Sequence, residues 1–186
     1  MRWNSTIYDA PTKRLSMDEI TITAALPDDY SALLALNEDA VPHVNSIPLA
    51  RLMHLHQEST YFGVARRAGS PIGFLLALLE TADYDSVNFG YFRRHFPRFA
   101  YIDRIVVSST AQRAGVGAAL YQDLYRSLPG DCPLLTCEIN LRPRNDQSLA
   151  FHQRLGFKAV GEQDTEGGSK RVVLMAKPAS PAGSQR

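Results

Sequence analysis

Gln112-Arg113-Ala114-Gly115-Val116-Gly117 lies between two apolar runs, Tyr101 to Val107 and Val116 to Leu128. The first run suits a strand. The second suits a helix, because Val116, Leu120, Leu124 and Leu128 recur every fourth residue and form one apolar stripe. A strand, a short turn with two glycines and a helix start together make an anion site. The first amides of a helix have no intrahelical partner and point outward, and the helix dipole adds partial positive charge there. Glycines let the backbone approach a phosphate closely, and Arg113 adds a full charge. The segment is expected to hold a phosphate or pyrophosphate. No further glycine completes a dinucleotide fingerprint, and no lysine completes a P-loop. The same glycines also suit a helix start that packs closely on a neighbour.

Downstream, Leu134 to Leu141 reads as a strand, and Asn145-Asp146-Gln147-Ser148-Leu149-Ala150-Phe151-His152-Gln153-Arg154-Leu155-Gly156-Phe157 reads as a helix with its stop. Asn145 suits the N-cap. Gly156 suits a left-handed stop, and Phe157 its apolar contact. The first stretch fits Q/R-x-x-G-x-G/A, and the second resembles N-x-x-S/A-x-x-F-Y-x-x-x-G-F. Together, and in this order, they resemble the acyl-CoA loop and the following helix of the GCN5-related N-acetyltransferases (GNAT). The resemblance covers roughly Ala100 to Lys177. It implies an α/β (α+β) fold with a mixed, twisted sheet and helices on both faces.

A chain of 186 residues with 45% hydrophobic content suits one domain with a real core. The net charge of +1 implies no general polyanion-binding surface and no nucleic-acid partner. No apolar run is long enough to span a membrane, and Met1 to Lys13 lacks a signal-peptide core. Cys132 and Cys137 lack metal-ligand spacing and suggest a reducing, cytoplasmic setting. His54 and His56 find no third ligand, so no metal is expected. Residues 1–16 read as a flexible extension, 17–177 as one domain and 178–186 as a disordered tail rich in Pro, Ser, Gly and Ala.

Strand-like runs are expected at Ile20–Ala24, Tyr61–Arg67, Ile72–Leu79, Phe99–Val107, Leu134–Leu141, Lys158–Glu162 and Arg171–Lys177. Helices are expected from Pro27 to about Asp39, and over Leu49–Glu58, Gly115–Leu128 and Asn145–Leu155. Ala68-Gly69-Ser70 reads as a hairpin turn. Thr81 to Arg98 reads as an irregular aromatic loop, a substrate lid in which Tyr91 and Phe92 wall the acceptor pocket.

Strict alternation puts Tyr101, Asp103, Ile105 and Val107 on one face of a central strand, with Ile102, Arg104 and Val106 on the other. On the next strand Thr136, Glu138 and Asn140 share a polar face, which suggests a wet cavity. Asp103, Arg104 and Glu138 can alternatively form a buried ion-pair network.

The resemblance implies direct attack of an amine on the thioester of acetyl-CoA, with a base, an oxyanion donor and an acid for the thiolate. It places the oxyanion donor among the amides of Ile105, Val106 and Val107. It places the pyrophosphate within Gln112, Arg113, Ala114, Gly115, Val116, Gly117 and Ala118. Asn140, Asn145, Ser148 and Phe151 are further cofactor contacts, and Tyr101 is a substrate contact. Glu138 and Asp103 are candidate bases. His152 stands where the family usually has a tyrosine acid, and a protonated imidazole suits that role. The implied acceptor is a primary amine of a small molecule or peptide, and a homodimer is compatible with the family. A non-catalytic acyl-CoA-binding module, or transfer of another acyl chain or to another acceptor, are the alternatives.

Overall fold

The computed structural model describes residues 20–179. The 1–16 extension and the tail from 180 onward lie outside the described residues. The elements run β1 Ile20–Ala24, α1 Tyr30–Asp39 after a 3-10 turn at Pro27–Asp29, α2 Leu49–Glu58, β2 Ser59–Arg67, β3 Ser70–Leu79 and α3 Val87–His95. They continue with β4 Ala100–Val107, α4 Val116–Ser127, β5 Leu134–Arg142, α5 Asp146–Arg154, β6 Lys158–Thr165 and β7 Lys170–Pro178.

One seven-stranded sheet has the order β1-β2-β3-β4-β5-β7-β6. All neighbours are antiparallel except β4 and β5. That parallel pair meets only at Ala100↔Leu135 and Tyr101↔Thr136, and beyond these residues the strands part. The gap is the fold's main contribution to the site.

Apolar side chains cover both faces of the sheet. On one face Val116, Leu120, Tyr121 and Leu124 of α4 pack with Ile102, Leu135, Cys137 and Phe157. Leu128, the last residue of the expected stripe, is only partly buried against the same cluster. On the other face Leu33 of α1, Leu52 and Leu55 of α2 and Phe89 and Phe92 of α3 pack on Phe74, Leu76 and Tyr101. Asn145 caps α5, its side chain accepting the Ser148 amide at 3.1 Å. Gly156 follows with φ of 92°.

Three expectations need correction. The aromatic segment is not an irregular loop throughout: Val87–His95 is helical, and Ser86 caps it by accepting the Phe89 amide. Phe89 and Phe92 recur three apart, and both are fully buried. The tail does not begin at 178, because β7 ends at Pro178 and Ala179 is buried with its amide donating to Pro133 O. Finally, β4 does not alternate strictly. Its register on β3 jumps from Leu76↔Arg104 to Ala77↔Ile102, so Asp103 is the extra residue of a β-bulge. The bulge turns Asp103 and Arg104 to the same side. Tyr101 and Val106 belong to the core under α1–α3, whereas Ile102, Ile105 and Val107 pack on the α4 side.

Candidate active site

The parting of β4 and β5 opens a cleft of about 1410 Å³. One end is walled by the turn after β4 and the start of α4. Gly115 is the N-cap of α4 with φ of 81°, a left-handed conformation that costs glycine little. Arg113, without that freedom, also has positive φ, 63°. The first helical bond runs from Ala119 N to Gly115 O. The amides before it therefore have no partner within the helix and open on the cleft. Gly117 has a second role: a Cβ there would meet the Phe151 ring at 3.0 Å, so this glycine also lets α5 approach α4.

The other end is polar and deep. The Tyr101 hydroxyl donates to Glu138 Oε2 at 2.6 Å. Asn88 of α3 also lines the cleft, and its Oδ1 accepts from Gln163 Nε2 at 2.9 Å. Desolvation is the main effect on Glu138 and pushes its carboxyl up to about 7; the Tyr101 hydrogen bond opposes it, and the Asp103 charge adds to it. Burial pushes the Tyr101 phenol well above its ordinary value, and the Glu138 and Asp103 charges push the same way.

Asp103 is engaged at both oxygens. Tyr84 donates its hydroxyl to Oδ1, and Arg104 Nε donates to Oδ2 at 2.6 Å. Arg104 Nη1 donates to Asn37 Oδ1 at 2.7 Å, and Asn37 Nδ2 donates to Asn45 O at 3.0 Å. The Asp103–Arg104 ion pair is therefore real, but Glu138 is not part of it. Glu138 is bound by the neutral Tyr101 hydroxyl instead.

His152 is buried, 1% exposed. Its Nδ1 lies 2.8 Å from Ser148 O, so Nδ1 carries the proton and donates. Nε2 is then bare and accepts from the Tyr121 hydroxyl at 2.9 Å. Desolvation pushes the ring down to about 4, against a smaller opposing effect of the Ser148 carbonyl. The imidazole is neutral at pH 7, which corrects the expectation of a protonated acid at this position.

The Acetyltransferase (GNAT) family model matches residues 26–157. The chain belongs to that family. Among solved structures this GNAT chain is similar to Ard1 from Thermoplasma volcanium, at 20% identity and TM-score 0.69, covering 86% of this chain and 97% of that one. It is also similar to the ribosomal-protein-S18-alanine N-acetyltransferase from Escherichia coli, at 18% identity and TM-score 0.65, covering 90% and 98%. Arabidopsis thaliana NAA60, solved with a bisubstrate analogue, is similar at 16% identity and TM-score 0.66, covering 86% and 97%. At these identities the likeness is one of fold. No curated protein matches the chain in sequence.

The GNAT cleft brings together most of the residues singled out from sequence. Ile105, Val106, Val107, Gln112, Arg113, Gly115, Val116, Gly117 and Ala118 line it, as do Asp103, Glu138, Asn140, Asn145, Ser148, Phe151 and His152. Ala114 does not; it packs against the core. Tyr101 is fully buried and touches the site only through its hydroxyl on Glu138. Tyr91 and Phe92 do not wall the pocket. Tyr91 donates its hydroxyl to Val160 O at 2.9 Å and stacks on His95. Phe92 is a core residue between Phe99 and Tyr101.

Tyr84, Asn88, Asn37 and Arg51 were not anticipated. Arg51 stacks on the Tyr84 ring at 4.9 Å and pairs with Asp85 at 2.6 Å. No local sequence signal marks Tyr84 and Asn88, which stand among other polar residues such as Asp85 and Ser86. Asn140 Nδ2 donates to Pro42 O and His43 O, tying the connection between α1 and α2 to β5. Among the described residues no helix is long and apolar enough to cross a membrane.

Proposed function

We propose that the chain is an acetyl-CoA-dependent N-acetyltransferase that moves an acetyl group to a primary amine of a small molecule or peptide by direct attack. The observation that carries this reading is a juxtaposition within one cleft. Open amides at the start of α4 form one end, and Glu138, a carboxylate balanced near neutrality, lies at the other. The amides of Arg113 to Ala118 and the Arg113 charge would hold the pyrophosphate. Ile105 to Val107, on the margin of β4 that faces the gap, would hold the pantetheine arm and supply the oxyanion donor. Asn140, Asn145, Ser148 and Phe151 complete that wall. When bound, acetyl-CoA supplies the acyl group and carries the thiol away.

Glu138 is the base. With its carboxyl near 7, a substantial fraction is ionised at neutral pH, yet it is basic enough to take a proton from the amine through water. Asp103, neutralised by Arg104 and bonded by Tyr84, serves as scaffold. A thiol with a pKa of roughly 8.5 leaves as thiolate without an obligatory acid. Neutral His152 then acts by holding Tyr121 and the start of α5 in place. The two cysteines are free and buried, which supports a reducing, cytoplasmic setting.

The test is thiol release from acetyl-CoA against amines, amino acids, polyamines and peptides with free N-termini, with a no-acceptor control and calorimetric binding in parallel. Acceptor-dependent release is expected, reduced about 100-fold or more in Glu138→Gln. Tight binding without release across the panel would replace this reading with an acyl-CoA-binding module.

A further inference from the structure

The bulge in β4 leaves an unusual cation at the acceptor end of the cleft. Arg104 lines the cleft, yet its side chain is only 6% exposed. Its Nε is committed to Asp103 and its Nη1 to Asn37. Nη2 has no hydrogen-bond partner among the described residues. It is also not among the polar atoms sealed from solvent without a partner. A buried guanidinium edge that is held at two nitrogens and still unsealed at the third has the cleft as its outlet. Left without a partner, such a donor is costly.

The surrounding charges narrow what it binds. Asp103 already neutralises Arg104. The other cations lining this end are likewise engaged, Arg51 with Asp85 and Lys170 with Glu166. Glu138 and Asp39 line the same end without an ion pair among the described residues. A carboxylate entering here would meet two further carboxylates and no uncompensated cation, so the favoured ligand oxygen is a neutral one.

Resting on the acetyl-transfer reading above, we propose that Arg104 is a specificity-determining residue whose Nη2 donates to a neutral carbonyl oxygen flanking the acceptor's amine. The acceptor class is then an α-aminoacyl amide, the chemistry of a peptide N-terminus. Free amino acids, which carry a carboxylate at that place, and simple alkyl amines, which carry nothing there, are the disfavoured classes. Asn37 holds Nη1 and so fixes the direction of Nη2.

Three acceptors of matched side chain decide this: an aminoacyl amide, the free amino acid and the amine lacking the carbonyl. The readout is the ratio of kcat/KM for the amide over each of the others, in the parent enzyme, in Arg104→Lys and in Asn37→Ala, with thermal melts of each. The parent ratio is expected to be at least tenfold, the scale of a hydrogen bond to a charged donor. Arg104→Lys keeps the charge opposite Asp103 but loses the forked donor, and its ratio falls toward one. Asn37→Ala reads the same effect if Arg104→Lys fails to fold. A ratio near one in the parent, or a ratio unchanged in the folded variants, overturns the proposal. If no amine is acetylated at all, the transfer reading fails separately. Calorimetric binding of the aminoacyl amide to the parent and to Arg104→Lys then decides on Arg104: tighter binding to the parent supports it, and equal binding overturns it.

Discussion

Glu138, half-buried, and His152, buried, are ionisable side chains beside one cleft, and desolvation pushes them in opposite directions, up to about 7 and down to about 4. Both therefore stay neutral where their free counterparts would be charged, and both make folding stability depend on pH. For Glu138 the folded pKa lies above the unfolded value of 4.5, so its penalty is absent in acid and grows as pH rises from about 4.5 to about 7. Glu138→Gln should therefore stabilise the chain at pH 8 by on the order of 2 kcal/mol and leave it nearly unchanged at pH 5, measured by urea denaturation. For His152 the folded pKa lies below the unfolded 6.5, so stability is intact above 6.5 and is lost as pH falls toward about 4. His152→Gln should flatten that acid limb, and an unflattened limb would show that another group controls it. The sequence singled out both residues, β5 periodicity pointing to Glu138 and the helix motif to His152, and both line the cleft. It did not reveal that His152 is neutral, because that depends on Tyr121 and the Ser148 carbonyl closing both ring nitrogens. The Ser148 carbonyl is the ordinary i−4 neighbour within α5, but the Tyr121 hydroxyl that closes Nε2 comes from the packing of α4 on α5, which spacing along the chain does not show.

At the level of elements, sequence pattern located the strands and four of the helices, because the central strands are apolar runs buried on both faces and α4 has one apolar stripe to bury. It failed at α3, where Phe89, Phe92 and Phe96 were read as a lid's aromatics instead of a helical stripe three to four residues apart. The arginines and histidine that close this helix, Arg93, Arg94 and His95, suit its C-terminal dipole. The two readings of Phe92 separate on stability. Phe92→Ala should cost about 3–5 kcal/mol in chemical denaturation, as expected for a fully buried aromatic, whereas a pocket wall would change KM with little loss of stability. The bulge at Asp103 was illegible for a different reason. One extra residue leaves composition and hydrophobicity untouched and changes only the pairing on β3. It is nevertheless what turns Asp103 and Arg104 together and gives Asp103 its two partners.

Taken as a whole, the molecule is two sheet segments, β1 to β4 and β5 to β7, whose backbones pair at only two positions among the described residues, Ala100↔Leu135 and Tyr101↔Thr136. Both motifs read from sequence fall along the opening between them, which is why this wall of the cleft was legible from local pattern. The acceptor end was not, because it is assembled from α1, the connections around α2 and α3, and the turn before β7, which are distant in sequence and joined by single polar contacts such as Lys170 to Asn45. Sheet proteins ordinarily keep raw strand margins at their borders and blunt them with charge, proline or twist. This chain carries two such margins at its centre, facing each other beyond the last paired residues of β4 and β5. On the reading proposed above, a ligand lying along them would complete the hydrogen bonding of the sheet and in the same act fasten the two segments, so that occupancy would become a structural rivet for the whole domain.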